Sequence, residues 1–161
     1  MNIFRRILVA MMMYGLYATS KASDPLTGML AVDERIGAFK PENGYWVGLP
    51  RTERLRALAR AQMCTAIGGP VGQFRLREDE IWLVGLHKCG GDVPLQEVYP
   101  DAQGPFMAEW LTGTFFVHLD HLCRTVNGEN LFGTTLKLEL LKGVVQKAEV
   151  ENQDKSACPR D

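Results

Sequence analysis

The chain has 161 residues, 46% of them hydrophobic and 23% charged, which is enough for one folded domain with a short appendage. Its 18 Lys and Arg nearly balance 19 Asp and Glu, which excludes a strongly basic nucleic-acid-binding protein and an acidic disordered tail. A mean hydropathy of -0.10 and a single long apolar run exclude a polytopic membrane protein.

The first 22 residues have the pattern of a signal peptide. Arg5 and Arg6 form a positive start, residues 7–18 carry no charge, and the small residues Ser20 and Ala22 predict cleavage after Ala22. An uncleaved membrane anchor is the alternative, but this uncharged run is shorter than the roughly 20 apolar residues that span a bilayer, which favours cleavage. Cleavage predicts a periplasmic or secreted protein, whose 15 basic and 19 acidic residues give a net charge of -4.

An even number of cysteines in an exported chain predicts disulfide bonds, because the compartment is oxidising. Three pairings of the four are possible, and proximity in the sequence favours Cys64–Cys89 with Cys123–Cys158. The second bond would hold the polar tail at 151–161, which has no apolar pattern of its own. A zinc site is the competing interpretation, but no Cys-x-x-Cys pair is present.

The first part of the mature chain predicts two strands and a helix. Residues 26–32 and 45–49 have strand character, with a turn at 41–44 between them. Thr52 is placed to cap a helix over 53–64, whose apolar residues recur at helical spacing.

The remainder predicts strands joined by turns, without internal repeats. The last two strands form a hairpin, and a nearly continuous apolar run predicts a strand buried on both faces. The predicted strands are 73–77, 81–86, 110–119, 134–140 and 144–150, with turns at 77–80 and 89–92 and an irregular loop at 93–109. Residues 23–150 therefore form a single β-rich domain, followed by the tail.

The pattern Leu-Thr-Gly-x-apolar occurs twice, at 26–30 and at 111–115. Glycine within a strand marks a bulge or a close backbone approach, which helps a small sheet coil into a barrel. These stretches resemble small exported bacterial domains of unknown function with an OB-like barrel, in which a later Thr-Gly strand runs into a His-containing segment, here 111–121. The predicted fold is mostly β (α+β): a small OB-like or similar antiparallel β-barrel with one helix, stapled by disulfides. The resemblance implies no activity.

The densest group of metal-ligand residues is His118, Asp120, His121 and Cys123. If the strand continues through them, alternation places His118 with Asp120 on one face and His121 with Cys123 on the other. If the strand ends at Leu119, His118, Asp120 and His121 could converge on zinc or a similar divalent metal ion. The alternative is that these side chains make only local hydrogen bonds on a solvated face.

Two surfaces are candidates for binding a partner. Trp46 and Tyr45 alternate in the predicted strand, so one should face solvent, where it could stack on a sugar ring or anchor a protein. Arginines with a net charge of +3 could meet an acidic partner, although the solvated face of an amphipathic helix looks the same. They are Arg51, Arg54, Arg56 and Arg60, offset by Glu53.

No sequence motif indicates catalysis. The Gly-rich segments lack the spacing of a phosphate loop, and neither Gly-x-Ser-x-Gly nor His-Glu-x-x-His is present. We expect an exported, non-catalytic binding protein without a cofactor, whose partner is a protein or an envelope glycan; an inhibitor or immunity module is one form of this. We expect no nucleic-acid partner and no stable membrane insertion of the mature chain. The alternatives are a metal-binding protein or metal-dependent enzyme built on the histidine cluster, and a structural subunit of an envelope assembly.

Overall fold

The computed structural model describes residues 25–61 and 69–158, so the predicted signal peptide lies outside the described residues. Nine strands and two helices make up most of the regular structure in these ranges. The strands are β1 Gly28–Val32, β2 Arg35–Pro41, β3 Val71–Arg77, β4 Glu80–Lys88, β5 Gly91–Val93, β6 Phe106–Met107, β7 Gly113–Arg124, β8 Asn130–Leu141 and β9 Val144–Asn152; the helices are α1 Glu53–Ala61 and α2 Leu95–Val98, and a 3₁₀ turn covers Lys155–Ala157.

The strands form one sheet that closes on itself. Its order is β3-β1-β2-β7-β8-β9-β4, and β4 returns to pair with β3, while the short β5 and β6 also pair with β4. The β1–β3 pair is parallel and the other pairs are antiparallel. This ring confirms the predicted mostly β fold with a closed sheet, although its strand number exceeds the five of an OB-fold.

The ring closes through a narrow contact between β4 and β9, so it is not a regular barrel. Glu80 and Val144 are the paired residues at this junction. Beside them, the Ile81 amide donates to the Gly143 carbonyl at 2.8 Å, and the Val145 amide donates to the Asp79 carbonyl at 2.7 Å. From Gln146 onward β9 is exposed, and it pairs with β8 alone among the strands of the described ranges.

The core lies inside this ring and is built from alternate residues of the strands. Phe39 is its aromatic centre, with the Phe74 ring 5.4 Å and the Phe115 ring 5.2 Å from its own, centroid to centroid. Aliphatic side chains with less than 2% exposure fill the space around these rings: Leu30, Ile81, Leu83, Leu86, Val98, Val117, Leu119 and Leu138.

Tight turns join three of the hairpins, and each begins with a residue in the left-handed region. Asp33, Glu78 and Lys142 have φ values of 53°, 53° and 50°. Positive φ is what the favoured two-residue hairpin turns require. Two of these hairpins were predicted, but β2 was not, because its small and polar residues lack the β-branched pattern of a strand.

The predicted strand at 45–49 is wrong, because the chain from 42 to 52 is irregular. Tertiary contacts hold this segment in place of a strand partner: the Trp46 indole donates to the Leu26 carbonyl at 2.9 Å, and the Trp110 indole donates to the Gly48 carbonyl at 2.7 Å. Val47 instead fills the core as a single buried side chain, 6% exposed.

Other element boundaries also differ from the predictions. The loop at 93–109 contains α2 and β6, β7 continues to Arg124 beyond the expected end at Leu119, and β8 begins earlier, at Asn130. The longer hairpin follows from tertiary contacts, since residues 120–133 lack strong strand patterning.

Helix α1 begins as predicted. The Thr52 hydroxyl accepts a hydrogen bond from the Leu55 amide at 3.0 Å, which is the expected N-cap contact. Leu55 and Leu58 pack against the core while the helix buries no residue completely. Residues 62–64 of the predicted helix lie outside the described residues.

The predicted Cys123–Cys158 disulfide is present and links the end of β7 to the tail. Cys89 is also disulfide-bonded; its predicted partner, Cys64, lies outside the described residues. Within the described ranges, no helix is long and apolar enough to cross a membrane.

Candidate functional site

The outer face of β2, β7 and β8 carries a row of side chains centred on His118. Strand register places Ala38 and Thr135 beside it on the two neighbouring strands. The imidazole Nδ1 lies 3.3 Å from the Thr135 hydroxyl, and the ring stacks on Phe132 with centroids 4.9 Å apart. The Phe116 ring is nearly parallel at 6.3 Å, so His118 lies among aromatic rings and one hydroxyl.

This environment changes the protonation of His118. Burial lowers its pKa below the ordinary value of 6.5, and the Lys40 ammonium lowers it further. Desolvation disfavours the charged imidazole, and a nearby cation opposes a second positive charge. His118 is therefore neutral at pH 7, with one donor and one acceptor nitrogen.

A mixed polar and aromatic groove of about 480 Å³ opens beside His118. Strands β7 and β8 supply its rear wall, while the loop after β2, the start of β8 and the segment after β9 supply its rim. The lining residues are Lys40, Tyr45, His118, Glu129, Asn130, Leu131, Phe132, Thr135 and Gln153. We call this the outer groove; its volume lies within the range of about 300–1,000 Å³ of small-ligand sites.

Tyr45 forms one corner of the outer groove and is 60% exposed. Its ring lies 5.7 Å from the Lys40 ammonium and 6.1 Å from the neighbouring ring of Trp46. Trp46 is also exposed, at 44%, and its indole nitrogen donates to the Leu26 carbonyl at 2.9 Å. Alternation predicted only one of the two aromatics outside; both are exposed because the segment is not a strand.

The strand continues through the predicted metal cluster, but Asp120 interrupts its alternation. Asp120 has a φ of 56°, and the β7–β8 register shifts between His121 and Cys123. As a result, the rings of both His118 and His121 contact Phe132. Simple alternation had placed these two histidines on opposite faces.

Asp120 and Cys123 of that cluster bind other partners. The Asp120 carboxylate accepts a hydrogen bond from the Arg35 guanidinium at 3.0 Å, and the Cys123 sulfur is in a disulfide. The His121 Nε2 atom lies 3.3 Å from the Asn130 side-chain oxygen. In the part of the chain that the structure describes, no group of three His, Cys, Asp or Glu residues could hold a metal ion.

The arginines of α1 behave as a solvated helix face. Arg56 forms a 2.6 Å ion pair with Glu53, and Arg54 reaches the carbonyl oxygens of Gln96 and Glu97 at 3.4 Å, which joins α1 to α2. Arg60 is exposed in the last turn. Exposed ion pairs of this kind contribute little to stability.

A second cavity, of about 350 Å³, lies beside β4 and β5. At its edge the Asp92 carboxylate accepts from Gln73 Nε2 at 2.8 Å and lies 2.8 Å from His87 Nδ1. The hydrogen bond with His87 is the main cause that lowers the pKa of Asp92. These contacts join β4 to β5, and because β5 begins at Gly91, the turn that the sequence predicted at 89–92 covers only 89–90.

Sequence reasoning found His118 and singled out Trp46, but it missed most of the outer groove. Lys40 lies on an unpredicted strand, and Phe132 and Asn130 precede the predicted start of β8. Tyr45 was considered together with Trp46 as a pair of which one should face solvent, and the structure exposes both. The assembly of these residues depends on the pairing of β2 with β7, which no local pattern specifies.

Comparisons of the chain with protein-family models, with curated proteins and with solved structures give no match. The function is therefore inferred from the residues of the site.

Proposed function

We propose that the mature chain is an exported, non-catalytic binding protein that takes up an envelope component, a protein or a glycan, at the outer groove. The observation that carries this proposal is the exposed Tyr45 at the rim of a concave surface backed by the His118–Phe132 stack. Exposed aromatic side chains are strong binding anchors because they provide a large contact area with few rotatable bonds.

Export is supported by the cysteines. Cys89, Cys123 and Cys158 are disulfide-bonded, and such bonds persist in oxidising compartments such as the periplasm and the extracellular space. The same bonds leave none of these three sulfurs available as a thiolate nucleophile.

The chemistry of the outer groove favours binding over catalysis. In a catalytic triad a carboxylate orients the imidazole. Here the His118 Nδ1 atom lies beside the Thr135 hydroxyl instead. Asp120, the nearest acidic member of the same strand, is paired with Arg35. The metal alternative has no supporting cluster in residues 25–61 and 69–158.

A capture experiment tests the proposal. The mature protein, residues 23–161, is immobilised and exposed to a periplasmic extract, and bound protein and carbohydrate are identified by mass spectrometry. We expect a component that is retained by the wild type and lost with Tyr45→Ala.

Leu141→Ala is the matched control. Leu141 is a 52% exposed apolar residue six positions along β8 from Thr135, about 20 Å away at the rise of a strand. Retention must be unchanged in this variant. Equal retention by Tyr45→Ala and the wild type, or no component above background, would contradict the proposal.

A further inference from the structure

We infer that the ligand of the outer groove is a saccharide, with one sugar ring held at Tyr45 and a neighbouring part of the chain held at the His118–Phe132 stack. This inference rests on the proposed binding function and specifies its ligand class. It commits to a glycan rather than a protein partner.

The first argument is the combination of exposed and stacked rings. A pyranose ring presents C–H groups on its faces and hydroxyl groups around its rim, so it matches a flat apolar surface with polar atoms at the edge. Tyr45 offers such a surface, since it is 60% exposed. His118 and Phe132 form a stacked pair, and both line the groove, so they add aromatic surface to its wall.

The second argument is the chemistry of the rim. Asn130 and Gln153 carry amides with donor and acceptor atoms, Glu129 carries a carboxylate acceptor, and Thr135 carries a hydroxyl. A sugar hydroxyl both donates and accepts, so it can satisfy each of these groups. The Asn130 side chain is already oriented, because its oxygen lies 3.3 Å from His121 Nε2.

The third argument is the charge of the groove. Its lining contains one ammonium, from Lys40, and one carboxylate, from Glu129. Burial and Lys40 lower the pKa of His118, so the imidazole adds no positive charge at pH 7. An uncharged, hydroxyl-rich ligand fits this balance better than a phosphate, which proteins bind with clustered cations.

The fourth argument is shape. A protein partner in a stable complex covers about 800 Å² of each surface, whereas a concave site of about 480 Å³ has the volume of a small-ligand pocket. The groove is also open to solvent along the rim, so a glycan chain can extend beyond it.

Titration calorimetry of the mature protein with three defined oligosaccharides tests the inference. The probes are three uncharged tetrasaccharides: β-1,4-linked N-acetylglucosamine, maltotetraose and β-1,3-linked glucose. We expect saturable binding of at least one probe with a Kd of about 1 mM or tighter. The bound probe should also shift the NMR signals of the His118 ring.

Variants then place the binding in the groove. Tyr45→Ala and Phe132→Leu should each weaken the affinity at least about tenfold, a loss of about 1.4 kcal/mol, while Leu141→Ala leaves it unchanged. The exposed Tyr45 does not support the core, so loss of affinity in Tyr45→Ala is not a folding defect. Binding that survives both groove variants would overturn the inference.

The failure of this inference and the failure of the proposed function are distinguishable. If the wild type binds none of the three probes but retains a Tyr45-dependent protein in the capture experiment, the ligand is not a saccharide and the binding function stands. If the probes do not bind and the capture returns nothing, both are overturned.

Discussion

The imidazole of His118 lies on the ring of Phe132, with centroids 4.9 Å apart and planes inclined by 26°. The two residues come from neighbouring strands but are not paired in register, because His118 is opposite Thr135 and Phe132 is opposite His121. The left-handed Asp120 interrupts β7 between the two histidines. The irregular backbone at Asp120 thus brings together the His118–Phe132 stack, on which the proposed binding function depends.

The pKa of His118 provides a direct test of the environment that the structure gives its ring. Burial and Lys40 lower it below 6.5, so Lys40→Met should raise the pKa of His118 by removing the repulsion. Replacing Phe132 with Ala should raise it as well by admitting water. The measurement is an NMR titration of the His118 ring; Lys40→Arg, which keeps the charge, is the control and should leave the pKa low.

The same shift makes stability depend on pH. Because the folded pKa of His118 lies below its ordinary value, the unfolded chain takes up a proton first as the pH falls. Protonation of His118 in the unfolded chain therefore destabilises the folded protein progressively as the pH falls below 6.5 towards the lowered pKa. Urea unfolding at several pH values should show a smaller decrease in His118→Gln than in the wild type; an equal decrease in both would exclude His118 as the cause.

Truncation of the aromatic centre tests the core. Phe39 has no exposed surface and contacts the rings of Phe74 and Phe115. Phe39→Ala should reduce the free energy of unfolding by about 3–5 kcal/mol, because it removes apolar burial and leaves a cavity. Chemical denaturation measures this loss.

A neighbouring residue of the same strand serves as the control for Phe39. Ile36 is 67% exposed, so Ile36→Ala should change the free energy of unfolding by no more than about 0.5 kcal/mol. A similar loss in both variants would show that the assigned inner and outer faces of β2 are wrong.

The Cys123–Cys158 bond should stabilise the domain by restricting the unfolded chain. The double variant Cys123→Ser/Cys158→Ser removes the bond and leaves no unpaired sulfur at either position. Its free energy of unfolding should be about 2–4 kcal/mol lower than that of the oxidised wild type. Equal urea midpoints under non-reducing conditions would contradict a constraining role for this bond.

Closure of the ring depends on Gly143. It has a φ of 78°, and a Cβ atom there would lie 2.7 Å from the Ala108 carbonyl oxygen. Its amide also donates to the Leu111 carbonyl at 2.8 Å, and its carbonyl accepts from Ile81 at 2.8 Å. Gly143→Ala should therefore reduce the free energy of unfolding by more than about 1 kcal/mol.

Lys142→Gly is the matched control for this turn. Lys142 also has positive φ, at 50°, a conformation that costs a residue with a Cβ roughly 1–2 kcal/mol. Glycine at this position should therefore leave stability unchanged or raise it, because relief of strain offsets the flexibility gained when unfolded. Equal losses in Gly143→Ala and Lys142→Gly would show that backbone conformation does not decide either effect.

The elements that were predicted correctly are those that depend on residues close together in the sequence. The helix start at Thr52, the hairpin turn at Lys142 and the strand cores of β4, β7 and β8 depend on neighbouring residues, and each was predicted. By contrast, the irregular segment around Val47 was predicted as a strand, since its aromatic and branched residues resemble one. Tertiary contacts outweigh that propensity, because Val47 is buried in the core and the Gly48 carbonyl accepts from the distant Trp110 indole.

The candidate site was predicted only in part for the same reason. His118 stands out as one of three histidines in the chain, but its environment comes from residues distant in sequence. Lys40 reaches it through the β2–β7 pairing, and Gln153 reaches the groove through the β8–β9 hairpin. Such pairings depend on the packing of the whole ring, so periodicity within one segment does not reveal them.

By itself, the sequence determined that this is a strand-rich chain with an N-capped helix, tight hairpin turns and cysteines spaced for disulfides, because those properties depend on the nearest neighbours of each residue. The sequence also predicted a closed sheet, but only the tertiary structure decided its strand order and its narrow closure between β4 and β9. It also decided that Asp120 interrupts β7 and that Tyr45, His118 and Phe132 lie close together. Those features require strands far apart in the sequence to pair. Burial of apolar side chains around Phe39 provides the free energy that favours this arrangement.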